Sequence, residues 1–213
     1  DIGANLGISS LGFRKLGFQN KIYAFEPNYF LYNSYLLNLK KKYKNFYPKN
    51  LALGDENKTL LFYMPFYKSK CIHYFCTFDK QYLKNSLKMS FPKIYKKIEI
   101  KKKTIKCSKY DDLRINCKPH FIKIDSEGFD GLILKGLKKT IKLHKPVILT
   151  EYNKEYFDDI IKILKNYIPH VYDIKNDKML KLNSNILKSN VSRSNKKNFL
   201  SIRNIYFLPK DFK

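Results

Sequence analysis

The residues able to do chemistry in this chain are acids and glycines at recurring places. Asp1-Ile2-Gly3-Ala4-Asn5-Leu6-Gly7 sets an acid two residues ahead of a G-x-x-x-G turn. Gly3 and Gly7 remove Cβ where a backbone bends sharply or lets a ligand close. Ile8, Leu11, Phe13 and Leu16 follow at roughly helical spacing, and a helix start behind glycines offers N–H groups to an anionic or polar ligand. The dinucleotide fingerprint has a third glycine that this turn lacks. About 20 residues on, the apolar stretch Tyr23-Ala24-Phe25 ends in Glu26-Pro27, the spacing at which a carboxylate accepts both hydroxyls of a ribose. Asp125-Ser126-Glu127-Gly128 follows the apolar run Phe121-Ile122-Lys123-Ile124, and Glu151 closes Pro146-Val147-Ile148-Leu149-Thr150. Carboxylates in such places suit proton transfer. His73, His120, His144 and His170 have no paired spacing and read as structural.

Acids and glycines repeated at strand ends (Asp1, Glu26, Asp125, Glu151) require a sheet whose carboxyl ends converge, as in open α/β folds. Periodicity supplies the elements. Strands are expected over 21–25, 46–53, 59–63, 99–106, 120–125, 146–151, 170–174 and 204–208, and helices over 8–16, 30–39, 129–143 and 156–168. The strand over 99–106 reads as an edge guarded by its lysines. Residues 64–98 show no clear period and are too long for a simple connection, so they read as a functional cover or a small subdomain. Phe66, Tyr67, Tyr74, Phe75 and Phe78 in that segment are candidates to stack on a sugar ring. Residues 181–198, polar and rich in Ser and Asn, read as a long connection. The apolar strand expected ahead of Asp1 is absent from the sequence, so the chain reads as one cut at the end of its first, central strand.

The chain has 213 residues, 15% aromatic and 44% hydrophobic, enough for one α/β domain with a core. The formal charge of +25 invites a nucleic-acid partner, but only Arg14, Arg114, Arg193 and Arg203 are arginines. Phosphate-reading surfaces favour Arg, and abundant Lys, Asn, Ile, Tyr and Phe follow from AT-rich codons. A nucleic-acid partner is therefore not expected. Cys71, Cys76, Cys107 and Cys117 form no C-x-x-C pair, which points to free thiols in a reducing compartment, the cytoplasm. No run of about 18 apolar residues marks a transmembrane helix.

The motifs in order resemble those of the FkbM-type S-adenosylmethionine-dependent methyltransferases, within the class I superfamily. The matching pieces are the stretch from Asp1 to Gly7, Tyr23-Ala24-Phe25-Glu26-Pro27, Leu51-Ala52-Leu53-Gly54-Asp55, Asp111-Asp112-Leu113, Ile122-Lys123-Ile124-Asp125-Ser126-Glu127-Gly128 with Leu134-Lys135-Gly136, and Pro146-Val147-Ile148-Leu149-Thr150-Glu151. The family usually has Val and a second Glu where this chain has Ser126 and Asp130. The resemblance implies a Rossmann-like, mostly parallel seven-stranded sheet with helices on both faces and an antiparallel C-terminal edge hairpin. It implies one domain over 1–213, with 64–98 inserted. It implies S-adenosylmethionine held by Asp1, Gly3, Ala4, Asn5, Gly7, Glu26, Pro27, Ala52 and Asp125. Asp125, Glu127 and Glu151 are the implied candidates for the catalytic base, and if these three converge they also suit Mg²⁺. The implied acceptor is a hydroxyl on a sugar, glycan or secondary metabolite. The competing readings are a nucleotide-binding module without transferase activity and a dinucleotide-dependent oxidoreductase. The oligomeric state is not legible.

Overall fold

The structure, a computed structural model, describes residues 1–126, 128–183 and 203–212. The chain groups into two units, one of Asp1 and Gly3–Lys109, the other of Ile2 and Tyr110–Lys213.

In the first unit the glycine-rich turn ends at Gly7, whose φ of 77° lies in the left-handed region, and α1 (Ile8–Lys15) begins there. Buried Arg14 at its end donates to the carbonyls of Phe18, Asn20 and Asn45, which ties down the exit loop. β1 (Ile22–Phe25) and β2 (Phe46–Lys49) pair in parallel, Ile22 opposite Phe46. Parallel neighbours need a helical crossover, supplied here by α2 (Tyr29–Leu31), a π-helical turn (Tyr32–Leu36) and α3 (Leu37–Lys42). Ala4, Ala24, Leu36 and Phe46 form the buried cluster beneath them. The strand expected over 46–53 is broken. Asn50 turns its side-chain amide onto the carbonyls of Glu26 and Pro27, at 2.9 and 3.1 Å, and β3 (Ala52–Leu53) joins another sheet.

That sheet runs β3-β6-β4-β5, with β4 (Lys58–Tyr67), β5 (Lys70–Cys71) and β6 (Glu99–Ser108). β4 and β6 pair antiparallel from Lys58 opposite Cys107 to Phe66 opposite Glu99. β3 reaches only Cys107 and Ser108 of β6. Among the described residues, Glu99–Lys106 is thus paired along β4 alone, and its exposed lysines do guard an open edge over that length.

Segment 64–98 is more regular than its sequence pattern predicts. It holds the β4–β5 hairpin, a 3₁₀ turn (His73–Phe75) and α4 (Lys80–Ser90). Asp79 caps α4 by accepting from the N–H groups of Gln81 and Tyr82, and Leu83 and Leu87, one turn apart, are fully buried. Its aromatics mostly pack on one another and on the sheet. Phe78 lies against Phe62 with ring centres 4.8 Å apart, Phe75 against Phe91 at 5.4 Å, and Phe66 against Phe30 at 6.1 Å. Of the five proposed as sugar-stacking side chains, only Tyr74 is largely exposed, at 67%.

The second unit holds a five-stranded mixed sheet, in the order β10-β9-β11-β8-β7. β7 (Phe121–Ile124) and β8 (Val147–Glu151) are parallel, and Ile2 bridges to Ile124 in the same sense. β9 (Tyr167–Asp173), β10 (Lys178–Lys181) and β11 (Asn204–Pro209) pair antiparallel with their neighbours. β9 and β11 form the expected antiparallel pair, but β10 is an unforeseen further strand. The helix expected over 129–143 is two, α5 (Asp130–Gly136) and α6 (Lys138–His144), and α7 (Phe157–Ile163) stops earlier than expected because the chain turns at Leu164 into β9. Ile122, Ile124, Leu134, Ile148, Ile205 and Phe207 are buried. Most of the connection expected over 181–198 lies outside the described residues. The fold is therefore mixed α/β, with three sheets among the described residues.

The Asp111-Asp112-Leu113 motif has a structural explanation. Asp111 accepts from the N–H groups of Lys139 and Thr140, at 2.6 and 3.0 Å, and from the Thr140 hydroxyl at 2.6 Å. It thus caps α6 from a distant point in the chain. Asp111→Ala is expected to cost about 1 kcal/mol of stability, the typical loss of an N-cap side chain; urea unfolding checks it, and an unchanged midpoint would show that the cap contributes nothing.

Candidate functional site

The predicted site residues fall in both units. In the first, β1 delivers Glu26 to its carboxyl end, where the side chain is 5% exposed. A buried carboxylate needs donors. Asn5 donates its main-chain N–H to Oε2 at 2.8 Å, and Asn28 donates its N–H to Oε1 at 2.7 Å. Asn5 belongs to the glycine-rich turn, so the turn and the strand-end acid meet as the sequence spacing predicts. Asn5 itself has φ 50°, a left-handed conformation that Asn tolerates better than most residues. Its side-chain oxygen is buried and has no hydrogen-bond partner among the described residues.

The turn is stitched to β1. The N–H groups of Gly3 and Ala4 both donate to the Phe25 carbonyl at 3.0 Å, and Phe25 N–H donates to the Asp1 carbonyl at 2.8 Å. The Asp1 carboxylate accepts from the Ser10 hydroxyl at 2.7 Å. Gly3, at φ 74°, supplies the second left-handed bend. Three residues assigned to a cofactor sit in packing roles. Ala4 is in the cluster with Leu36 and Phe46. Gly7 abuts the crossover helix, and a Cβ there would lie 2.4 Å from Leu39 Cδ1. Ala52 is 3% exposed among Phe62, Met64, Phe66, Ile105 and Cys107. Pro27 is held through its carbonyl by Asn50.

In the second unit Asp125 ends β7 with its N–H on the Ile2 carbonyl, at 3.0 Å. Its side chain is 48% exposed and pairs with Lys123 Nζ at 3.0 Å. Glu151 ends β8 and is exposed. Glu127 lies outside the described residues. Among the described residues no group of three or more His, Cys, Asp or Glu is placed to hold a metal ion, so nothing here supports the Mg²⁺ expectation.

Asp130 is a site feature that the sequence pattern did not single out for a role. It is 6% exposed and accepts from the Ser126 hydroxyl at 2.5 Å and from Ser126 N–H at 3.2 Å. The Ser126 and Asp130 departures from the family pattern are therefore one paired feature, a hydroxyl supplying the donor that a shorter acid can reach. Burial pushes the Asp130 carboxyl above the ordinary carboxylate range, against the lowering effect of the Ser126 hydroxyl and of the Ser126 and Glu151 main-chain groups. An acid whose folded pKa is raised stabilises fully below its unfolded value and loses that contribution as pH rises through the folded one. Stability is thus expected to fall as pH climbs from the ordinary Asp range, and Asp130→Asn is expected to flatten that slope. Chemical unfolding across a pH series checks it, and equal slopes would contradict it.

Asn28 was also missed. It caps α2, its side-chain oxygen accepting from Phe30 N–H at 3.0 Å, and it holds Glu26 through its own N–H. An Asn directly before an apolar, aromatic run is a helix-start signal, and Glu-Pro-Asn carried it. No helix among the described residues is long and apolar enough to cross a membrane.

The family model of the methyltransferase FkbM domain matches residues 1–168. Among solved structures, the chain is similar to a methyltransferase FkbM from Methylobacillus flagellatus KT, with a TM-score of 0.56 and 17% identity, over 97% of this chain and 42% of that one. Likeness at that identity is one of fold, and this chain spans less than half the length of that protein. No curated protein matches the chain.

Proposed function

Because the chain belongs to the FkbM methyltransferase domain family, we propose that it is an S-adenosylmethionine-dependent O-methyltransferase acting on a hydroxyl of a sugar, glycan or secondary metabolite. In this reading residues 1–213 are one methyltransferase domain on a Rossmann-like sheet. The observation that carries the cofactor assignment is the Glu26 carboxylate, its two oxygens fixed by the N–H groups of Asn5 and Asn28. The two main-chain bonds fix the plane of this carboxylate at the carboxyl end of β1, the place at which a ribose diol is held in open α/β folds. The partnerless side-chain oxygen of Asn5 adds an acceptor in the same turn, since a buried polar atom of this kind calls for a ligand or water. These residues fit the group.

S-adenosylmethionine supplies an electrophilic sulfonium methyl group when bound. Glu26 holds the ribose, and the Gly3–Gly7 turn lets the ligand approach the backbone. Asp125 accepts the proton of the acceptor hydroxyl on a carboxylate oxygen, with Lys123 orienting that carboxylate; Glu151 is the second candidate base. Carboxylates also suit a cationic ligand electrostatically. Calorimetric titration with S-adenosylhomocysteine and, separately, with NAD tests the reading. S-adenosylhomocysteine is expected to bind and NAD not to. Binding of NAD alone, or of neither, overturns it.

A further inference from the structure

We propose that the second unit carries another ligand site, a lysine-ringed cleft that takes a phosphate-bearing head on an apolar body. This goes beyond the methyltransferase reading and does not rest on it. The cleft measures about 800 Å³ and is lined by α6, the end of α7, the start of β9 and the residues closing β11. A volume of that order suits a small organic ligand.

The total charge of the chain argues for no partner, but the distribution here is uneven. Five of the thirteen lining residues are lysines, Lys138, Lys142, Lys145, Lys165 and Lys210, against one acid, Asp211; in the whole chain 39 of 213 residues are lysine. Asp211 is engaged by Lys145. Four lysines therefore line one concavity without a lining acid to offset them, an arrangement that raises the local concentration of anions. The rest of the lining is largely apolar, with Leu134, Ile141, Ile163, Leu164 and Pro209. Lysine stems lie along apolar surface while their heads stay in water, so an apolar body below and an anionic head at the rim match the cleft.

Tyr167 gives the second, independent observation. It lines the cleft and is 9% exposed, and its hydroxyl is buried with no hydrogen-bond partner among the described residues. Burial, then the nearby Asp211, push its pKa up to about 12, so at neutral pH the phenol keeps its proton and is a donor. An unmade hydrogen bond at a buried group is costly. The hydroxyl lies beneath the cleft wall, so a ligand oxygen satisfies it once the ring shifts towards the cleft.

The probes are dodecyl phosphate, inorganic phosphate, and phosphatidylcholine vesicles with or without phosphatidylglycerol. Dodecyl phosphate is expected to bind at least about tenfold more tightly than inorganic phosphate, since only it fills the apolar part. The combined variant Lys138→Ala, Lys142→Ala, Lys165→Ala is expected to lose about tenfold or more in affinity, whereas Lys40→Ala, Lys41→Ala, Lys42→Ala, with the same change of charge, stays within about twofold. Tyr167→Phe is expected to weaken binding about fivefold while leaving the melting temperature unchanged or raised, because it removes only a partnerless hydroxyl. Vesicle binding that needs phosphatidylglycerol and is lost in the cleft variant identifies a membrane lipid as the source; binding of dodecyl phosphate without vesicle binding identifies a soluble amphiphile. No binding of dodecyl phosphate, equal losses in the cleft and control variants, or unchanged binding in both the cleft variant and Tyr167→Phe overturns the proposal.

Discussion

Glu26→Gln is expected to weaken binding of S-adenosylhomocysteine by about 1.5–3 kcal/mol, roughly 10- to 150-fold, the range for a hydrogen bond to a charged group. Both carboxylate oxygens accept a main-chain N–H, from Asn5 at 2.8 Å and from Asn28 at 2.7 Å. A glutamine has one oxygen to offer. Its amide nitrogen must then face one of two N–H donors, and the turn or the helix start loses its acceptor. Under the proposed assignment the ribose loses a charged partner at the same time. Asn28→Ala separates these effects. It deletes the side-chain cap on Phe30 N–H but keeps the main-chain N–H that holds Glu26, so stability should drop by about 1 kcal/mol with affinity nearly unchanged. Equal affinity in wild type and Glu26→Gln would remove Glu26 from the cofactor site.

Gly7→Ala is expected to be the most damaging small substitution in the first unit, at roughly 2–4 kcal/mol, from strain in the left-handed region together with overpacking. The φ of 77° disfavours any Cβ. The Cβ would also lie 2.4 Å from Leu39 Cδ1 and 2.9 Å from Leu36 Cδ2, and Leu36 is fully buried, so it has little room to withdraw. Gly17→Ala is the comparison. It also has a left-handed φ, 86°, but nothing lies within 4 Å of its added Cβ. It should show the conformational part alone, about 1–2 kcal/mol. Denaturant midpoints measure both, and equal losses would mean that packing against the crossover helix contributes nothing.

The comparison of those two glycines shows what a sequence can and cannot convey. That Gly7 must be glycine is legible from the turn; that the reason is Leu36 and Leu39 is not, because the helix that supplies them lies 30 residues on and contains a π-helical turn that no periodicity announces. That Glu26 meets the glycine-rich turn was legible, because an acid ending an apolar run about 20 residues after such a turn is carried to it by the intervening strand. The break after Lys49 was marked in the sequence only by Lys49-Asn50 between two apolar stretches; it depends on Asn50 taking two carbonyls. In the other direction, α4 was legible and overlooked, since Asp79 followed by Leu83 and Leu87 is a cap and an i, i+4 pair. Asp125 and Glu151 stand at strand ends as expected. Asp130, whose pairing with Ser126 holds the turn after β7, was visible only as a departure from the family pattern.

The ribose contact itself can be measured by a double-mutant cycle, titrating wild type and Glu26→Gln with S-adenosylhomocysteine and with its analogue lacking one ribose hydroxyl. If Glu26 holds the diol, the missing hydroxyl weakens binding to wild type by about tenfold or more and changes binding to Glu26→Gln far less, leaving a coupling energy of about 1 kcal/mol or more. Equal losses in both proteins, a coupling near zero, would contradict the assignment of Glu26 to the cofactor and with it the carrying observation for methyl transfer.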